Sequence, residues 1–189
     1  PELEEEKVEH ITYQELYVRV NEMAALLRDF AGLKRGDRVT LHLPMSAELP
    51  ITMLACARLG VIHSQVFGGF SGNAAADRVV DSGSRVLITM DSYYRGGKLL
   101  DHKKKADEAV AKAEKDGQKL DKVLIWQRYP GKYSAQTPLV EGRDFIVNEK
   151  LKDYYGVLIE PERMNAEDPL FLMYTSGTTG KPKGCQHGT

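Results

Sequence analysis

This sequence has few cysteines and tryptophans, and its charges are nearly balanced. Its 189 residues include two cysteines and one tryptophan, and 26 basic residues nearly balance 27 acidic ones, which leaves a net charge of −1. Cys56 and Cys185 have no CxxC partner and no metal-ligand spacing, so we expect neither a disulfide framework nor a metal site. A chain this close to neutrality has no overall field that recruits nucleic acid or an anionic membrane, and we expect neither as a partner.

Long apolar runs are also absent. No stretch approaches the ~20 apolar residues that a membrane-spanning helix needs, and the acidic segment Pro1–Glu6 does not have the pattern of a secretory signal. Together with the unpaired cysteines, this indicates a cytoplasmic protein. The sequence also begins without methionine, so we expect a piece of a longer chain.

Short apolar segments alternate with helical patterns along the chain. Apolar runs predict strands at 38–43, 61–67, 85–89, 122–126 and 170–174, and a period of 3.6 predicts helices at 12–30, 47–59, 71–80 and 100–115. Thr12 and Glu15 have the spacing of a capping box, and Ser46 and Ser71 are expected N-caps. Because the strands are continuously apolar, we predict a mostly parallel, doubly wound α/β sheet with helices on both faces.

The last of these predicted helices is rich in lysine. Asp107 and Glu108 follow Lys103 and Lys104 at a spacing of four, and the opposite face is formed by alanine and valine. We interpret the lysines as a solvated face with weak ion pairs. A nucleic-acid patch is the alternative.

The segment "FLMYTSGTTGKPKG" at 171–184 has the composition of a phosphate-binding loop. Three glycines permit the dihedral angles that let backbone N–H groups converge on an anion. Hydroxyl groups and two lysines add donors and positive charge. The candidate phosphate-binding residues are Thr175, Ser176, Gly177, Thr178, Thr179, Gly180, Lys181, Lys183 and Gly184.

This loop is neither of the two common nucleotide motifs. A Walker A loop needs glycine five residues before Gly180, where Thr175 stands, and a hydroxyl residue after Lys181, where Pro182 stands. The spacing also differs from G-x-G-x-x-G, which excludes a dinucleotide fingerprint. From composition alone, an exposed turn of small residues remains an alternative.

The order of residues from Tyr174 to Gly184 resembles the phosphate loop of the adenylate-forming superfamily. The segments 54–71, 76–89 and 164–171 resemble AMP-forming acetyl-CoA synthetases in particular, and relatives that act on propionate share much of them. The resemblance implies activation of acetate by ATP with Mg²⁺, followed by transfer of the acetyl group to coenzyme A with release of AMP and pyrophosphate. It also implies that the loop holds the β- and γ-phosphates.

A second candidate site follows the strand predicted at 85–89. Its basic glycine turn stands where parallel sheets bind ligands, although an ordinary strand-to-helix turn is the alternative. By resemblance, Arg95, Gly96, Gly97 and Lys98 bind the phosphates of coenzyme A, and Gly68 and Gly69 lie beside its pantetheine arm. Lys98 stands where the family often has arginine, so it keeps the charge but loses the bidentate fork.

The resemblance implies that the relatives are several times longer than this chain. We therefore expect residues 1–189 to be an incomplete N-terminal part of the catalytic domain, without the C-terminal lid domain and without turnover of its own. The catalytic residues are unknown. Two alternatives stay open: a parent that acts on propionate or another short acid, and a structural or interaction module that self-associates through truncated sheet surface. His63 is predicted to be a core residue with its hydrogen bonds satisfied, and His187 to support the phosphate loop.

Overall fold

The computed structural model describes residues 9–131, 136–175, 180 and 182–189. Within them, nine strands are β1 Arg38–Leu43, β2 Ile62–Phe67, β3 Val86–Met90, β4 Ser92–Arg95, β5 Lys98–Asp101, β6 Lys122–Trp126, β7 Asp144–Ile146, β8 Pro169–Thr175 and β9 Lys183–Gly188. The helices are α1 Tyr13–Ala25, which continues as a π-helix over Leu26–Phe30, then α2 Glu48–Arg58, α3 Gly72–Ser82, α4 His102–Lys115 and α5 Val147–Lys150, with a 3₁₀ turn over Leu151–Tyr154.

Seven of these strands form one sheet in the order β7-β6-β3-β1-β2-β8-β9. All neighbours pair in parallel except β9, which pairs antiparallel with β8. The predicted doubly wound α/β architecture is confirmed. The chain leaves β1 toward β2 on one side and leaves β3 toward β6 on the other, so the carboxyl ends of β1 and β3 form a topological switch point.

The core lies on both faces of this sheet. Along β3, Val86 and Ile88 pack into one apolar cluster with α1 and α2, while Leu87 packs into a second cluster with α3 and α4. The side chains alternate between clusters because successive residues of a strand point to opposite faces. This double burial explains why the central strands read as continuous apolar runs.

The helix ends test the predicted caps. The Thr12 amide donates to Glu15 Oε2 at 2.7 Å and the Glu15 amide donates to Thr12 Oγ1 at 3.2 Å, which confirms the capping box. Ser71 caps α3 by accepting from the Ala74 amide at 3.2 Å. The prediction for Ser46 is wrong: Ala47 is the N-cap of α2 and already has helical dihedral angles, so no side-chain oxygen caps this helix.

Two regions differ from the predicted elements. The helix predicted from residue 100 begins at His102, because β4 and β5 form an antiparallel hairpin before it. Gly96 and Gly97, with φ of 58° and 72°, make the tight turn between these strands. The strands β7 and β9 were not predicted.

The solvated-face interpretation of α4 is wrong for Lys103. Its side chain is fully buried, and its Nζ lies 2.6 Å from Asp107 Oδ2 and 2.9 Å from Asp144 Oδ2. Lys104 and Lys115 are exposed, as that interpretation expects. The buried lysine joins α4 to β7. Across the described parts of the chain, no helix combines the length and apolar character that crossing a membrane requires.

Candidate active site

A cavity of about 300 Å³ lies at the switch point, where the segments that follow β1, β2 and β6 meet the β4–β5 hairpin. Its position agrees with the rule that parallel α/β sheets bind ligands beyond the carboxyl ends of their strands. The lining residues are Pro44, Met45, Ser46, Phe67, Gly69, Tyr93, Tyr94, Arg95, Arg128 and Tyr129.

Two predicted coenzyme A residues, Gly69 and Arg95, meet in this cavity. A Cβ atom at Gly69 would lie 2.1 Å from Nη1 of Arg95, so the guanidinium packs directly on the glycine backbone. The Arg95 Cζ also lies 5.2 Å from the centre of the Phe67 ring. These contacts hold an exposed cation at the mouth of the cavity, with its position set by a ring and a backbone.

Gly68 lies behind these residues, against the end of β1. A Cβ atom there would lie 2.9 Å from the Leu43 carbonyl oxygen, which only glycine tolerates without a shift of backbone. The Gly68 carbonyl accepts hydrogen bonds from the Tyr93 hydroxyl at 3.0 Å and from Lys105 Nζ at 3.3 Å. The hairpin and α4 therefore both hold this glycine segment in place.

Lys105 is a site residue that the sequence reasoning missed. Burial lowers its pKa, and the nearby Arg95 guanidinium lowers it further. Two cations thus stand close together beside the cavity, which is the electrostatic setting of an anion site. A signal was available, because Lys105 stands one turn before buried Ala109 and so at the margin of the apolar stripe of α4.

The other members of the predicted basic turn lie at the tip of the hairpin. A Cβ atom at Gly96 or Gly97 would meet nothing within 4 Å, so these glycines serve the positive φ of the turn and not a close contact. Lys98 is exposed and pairs across the hairpin with Arg95. Besides Lys105, the turn therefore adds Lys98 as a further cation next to Arg95, outside the lining of the cavity.

The predicted phosphate loop connects β8 to β9. Thr175 pairs with Lys183 and Tyr174 with Gly184 at the base of this connection, and Gly180 has a φ of 87°. Because β8 is parallel to β2, the loop leaves the sheet at the same edge as the cavity. The remaining predicted phosphate-binding residues lie outside the described part of the chain: Ser176, Gly177, Thr178, Thr179 and Lys181.

The base of this loop is attached to α3. The Tyr174 hydroxyl donates to Asp81 Oδ2 at 2.6 Å, and burial together with this hydrogen bond raises the pKa of Tyr174. A Cβ atom at Gly184 would lie 3.2 Å from the Tyr174 ring, so glycine leaves room for the ring in this position. Tyr174, the residue before the loop, is thus held to α3 by its side chain.

Histidines lie beneath the site in two groups. Burial lowers the pKa of His42 to about 2 and that of His102 to about 4, and their ring centres are 4.4 Å apart. His63 is buried, which lowers its pKa to about 4 and confirms that it is a core residue, but the prediction that its hydrogen bonds are satisfied is wrong, because neither ring nitrogen has a partner among the described residues. It stacks on Phe171, which also stacks on exposed His187 at 4.3 Å. The three buried imidazoles are neutral at pH 7.

Acidic and metal-ligating side chains do not cluster here. Among the described residues, no group of three or more His, Cys, Asp or Glu side chains could hold a metal ion. The described site instead carries the cations Arg95, Lys98 and Lys105, which suits phosphate groups.

A doubly wound sheet with cations at its switch point and a glycine loop at the same edge defines a nucleotide- or coenzyme-binding α/β domain. The model of the family described as "AMP-binding enzyme" matches residues 2–189, and the chain belongs to this family.

Three relatives show which members of this family are similar. The 3-hydroxypropionyl-coenzyme A synthetase of Sulfurisphaera tokodaii is 48% identical over 95% of this chain. The acetyl-coenzyme A synthetases of Bartonella quintana and Marinobacter nauticus are 48% and 46% identical, each over 95% of the chain. The alignments cover 26% to 27% of these relatives, so the chain spans about a quarter of the length of the curated relatives it matches.

Proposed function

We propose that the protein containing this chain is an AMP-forming ligase that activates acetate with ATP and transfers the acetyl group to coenzyme A. The observation that carries the proposal is that the β8–β9 connection, in which we predict the phosphate loop, leaves the sheet at the same edge as a separate cavity lined by Arg95. The names of the acetyl-coenzyme A synthetase relatives support it. Two anionic substrates that react in turn need two such sites.

In the first step, a carboxylate oxygen of acetate bonds to the α-phosphorus of ATP, and the bond from that phosphorus to pyrophosphate breaks. Attack of an anion on a polyanion requires the phosphate charge to be offset by cations and N–H donors. We assign this role to the loop residues Thr175, Ser176, Gly177, Thr178, Thr179, Gly180, Lys181, Lys183 and Gly184. Mg²⁺ would accompany ATP as part of the substrate and would offset part of the phosphate charge.

In the second step, the coenzyme A thiol loses its proton and its sulfur bonds to the acyl carbon, while the bond from that carbon to the AMP oxygen breaks. Arg95 with Lys98 and Lys105 forms the cationic surface for the coenzyme A phosphates. Gly68 lets the end of β1 pack against its backbone and Gly69 lets Arg95 do the same, and we place the pantetheine arm beside the wall that these contacts form.

For the carboxylic acid substrate, one observation favours a second candidate. The 3-hydroxypropionyl-coenzyme A synthetase is as similar to this chain as the Bartonella acetyl-coenzyme A synthetase, at 48% identity. A parent that activates 3-hydroxypropionate, propionate or another short acid is therefore the second candidate. Rates of the full-length protein with acetate, propionate and 3-hydroxypropionate separate these substrates.

We further propose that residues 1–189 form the N-terminal-side part of a larger cytoplasmic catalytic domain whose lid lies elsewhere in the protein. Met173 of β8, at 47% exposure, and the half-buried apolar side chains beside it support this proposal, because such a surface favours a covering partner. The isolated chain is then expected to be catalytically silent and to self-associate through this face. A strictly monomeric isolated chain in sedimentation velocity would contradict the self-association.

The test of the function uses the full-length protein. We expect acetate-dependent exchange of pyrophosphate into ATP without coenzyme A, and acetyl-CoA formation when coenzyme A is added. Arg95→Ala should raise the KM for coenzyme A by about tenfold or more, as expected for a lost charge-assisted contact, and leave the exchange reaction unchanged. Arg28→Ala, which removes an exposed arginine paired with Asp29 away from this edge, is the control. No exchange with any short acid would refute the proposal.

A further inference from the structure

A buried arginine lies between the two candidate sites. The Arg78 Cζ on α3 is 5.1 Å from the centre of the Phe70 ring and 5.2 Å from the centre of the Tyr174 ring. Phe70 directly follows Gly69 of the cavity, and Tyr174 directly precedes Thr175 of the phosphate loop. One guanidinium therefore contacts a residue next to each site.

These contacts belong to a longer series of rings and guanidinium groups that pack against one another. Phe70 meets Phe67 edge-on at 5.6 Å, and Phe67 in turn carries the Arg95 guanidinium at 5.2 Å. From the cavity to the loop the series runs through Arg95, Phe67, Phe70, Arg78 and Tyr174. Cations and rings thus pack without interruption from one site to the other.

The surroundings of Arg78 suit a packing role better than an ion pair. The residue is 6% exposed, and its Nη1 donates to the Ala74 carbonyl at 2.6 Å. In the part of the chain that the structure describes, no carboxylate forms a salt bridge with it. Since aromatic faces attract a guanidinium through their negative quadrupole, Phe70 and Tyr174 stabilise this charge, together with the Ala74 carbonyl and the electrostatic attraction of Asp77.

We propose that Arg78 is a positioning residue that sets the geometry of both sites, through Phe70 for coenzyme A and through Tyr174 for the phosphate loop. This inference rests on the proposed function for the identity of the two ligands. A planar guanidinium can stack on two rings, whereas the compact ammonium of lysine keeps the charge without this geometry. Arg78→Lys therefore separates the role of the shape from that of the charge.

The experiment measures the binding of coenzyme A alone and of Mg-ATP alone to the full-length protein by isothermal titration calorimetry. For Arg78→Lys we expect both Kd values to rise about fivefold or more, with the stoichiometry near that of the parent. Arg85→Lys is the matched control, because Arg85 pairs with Asp37 and Asp121 away from this edge of the sheet. Both of its Kd values should stay within about twofold of the parent.

A merely structural role predicts a different result. If Arg78 only stabilised the fold, Arg78→Lys would lower the melting temperature and the stoichiometry and leave both Kd values unchanged, which would overturn the proposal. A change confined to one ligand would also overturn it, since the two sites would then not share the residue.

Phe70→Leu provides a second, independent variant, because Phe70 is 42% exposed and its replacement is compatible with folding. It should raise the Kd for coenzyme A about fivefold and leave the Kd for Mg-ATP unchanged. In the Arg78→Lys background, the same substitution should raise the Kd for coenzyme A by less than a further factor of about two. Unchanged coenzyme A affinity in Phe70→Leu overturns the proposal even if Arg78→Lys fails to fold.

The outcome for the parent protein separates this inference from the proposed function. If the parent binds both ligands and Arg78→Lys binds them equally well, the inference fails and the proposed function stands. If the parent binds neither ligand, both fail. If it binds both and catalyses no ligation, the function fails while the shifts in Kd still decide the role of Arg78.

Discussion

The centre of the sheet and its β8–β9 edge are built differently. Every residue of β3 is buried, whereas no residue of β8 is fully buried and all six residues of β9 are exposed. The centre is held by apolar packing on both faces. The edge, which carries the predicted phosphate loop, is attached through the pairing of β8 with β2 and through polar and stacking contacts to α3.

This difference suggests that the centre and the edge of the sheet have different roles. Close packing makes the centre rigid, and it supports the cavity at the ends of β1 and β3. The edge has fewer buried contacts, so its local opening should cost less free energy than global unfolding. The loop that we propose grips ATP and releases pyrophosphate would be better served by such an edge than by a fully buried strand.

The largest expected effect comes from pH, because it acts on the centre. His42, His63 and His102 are buried and neutral, with pKa values lowered to about 2, 4 and 4. In the unfolded chain a histidine binds a proton below about pH 6.5, so each one removes up to about 1.4 kcal/mol of stability per pH unit as the pH falls below 6.5. Together they remove up to about 4 kcal/mol per pH unit down to about pH 4.

Urea unfolding of the 189-residue chain between pH 7.5 and 5 checks this expectation. The stability that the three neutral histidines contribute is fully present above pH 6.5 and should be lost below it. In His102→Gln, the unfolding free energy should fall less steeply with decreasing pH. Burial raises the pKa of Asp91 and opposes the trend, because the folded state then binds that proton first. A stability that stays level from pH 7 to 5 would contradict the burial of neutral imidazoles.

The next largest effect concerns the buried lysine of α4. Lys103→Met leaves the fully buried Asp144 carboxylate without one of its cations, and breaking a buried pair in this way costs roughly 3–5 kcal/mol. Lys104→Met, at the adjacent exposed position, should change the unfolding free energy by less than about 0.5 kcal/mol. The urea midpoints of the two variants provide the test, and equal midpoints would show that the ion pair does not hold α4 to β7.

A pair of leucines tests the comparison between centre and edge directly. Leu41 of β1 is 0% exposed, while Leu172 of β8 is half-buried. Leu41→Ala should cost about 2–5 kcal/mol through lost contacts and a cavity, and Leu172→Ala about 1 kcal/mol or less. Both are read from urea unfolding monitored by circular dichroism. Equal losses would mean that the edge is packed as tightly as the centre.

The central elements could be predicted because their local signals and their burial agree. Strands buried on both faces produce the apolar runs at β1, β3 and β6, and Thr12 with Glu15 marks the start of α1. The exposed strand β9 has no apolar run to detect, and β7 has only three residues. Local pattern therefore predicted the centre and missed both outer strands.

The candidate site was predictable in its residues but not in its contacts. Resemblance and chemistry pointed to Arg95 and Gly69, yet nothing in their spacing shows that the guanidinium packs on the glycine. The burial of Lys103 and the hydrogen bond from Lys105 to Gly68 were also missed, since lysines on an amphipathic helix are usually solvated. These features depend on tertiary packing between segments that are distant in sequence.

The smallest expected effect is the most specific for the edge. Tyr174→Phe removes the hydrogen bond to Asp81 and keeps the ring beside Arg78, so global stability should fall by about 0.5–1.5 kcal/mol or less. Hydrogen exchange should nevertheless accelerate at the β8 and β9 amides and stay unchanged in β1, because only the edge loses an attachment. Asp81→Ala, which removes the acceptor, should produce the same local change through the other partner. If exchange accelerated equally in β1 and β8, the edge and the centre would open as one unit and the division between them would be refuted.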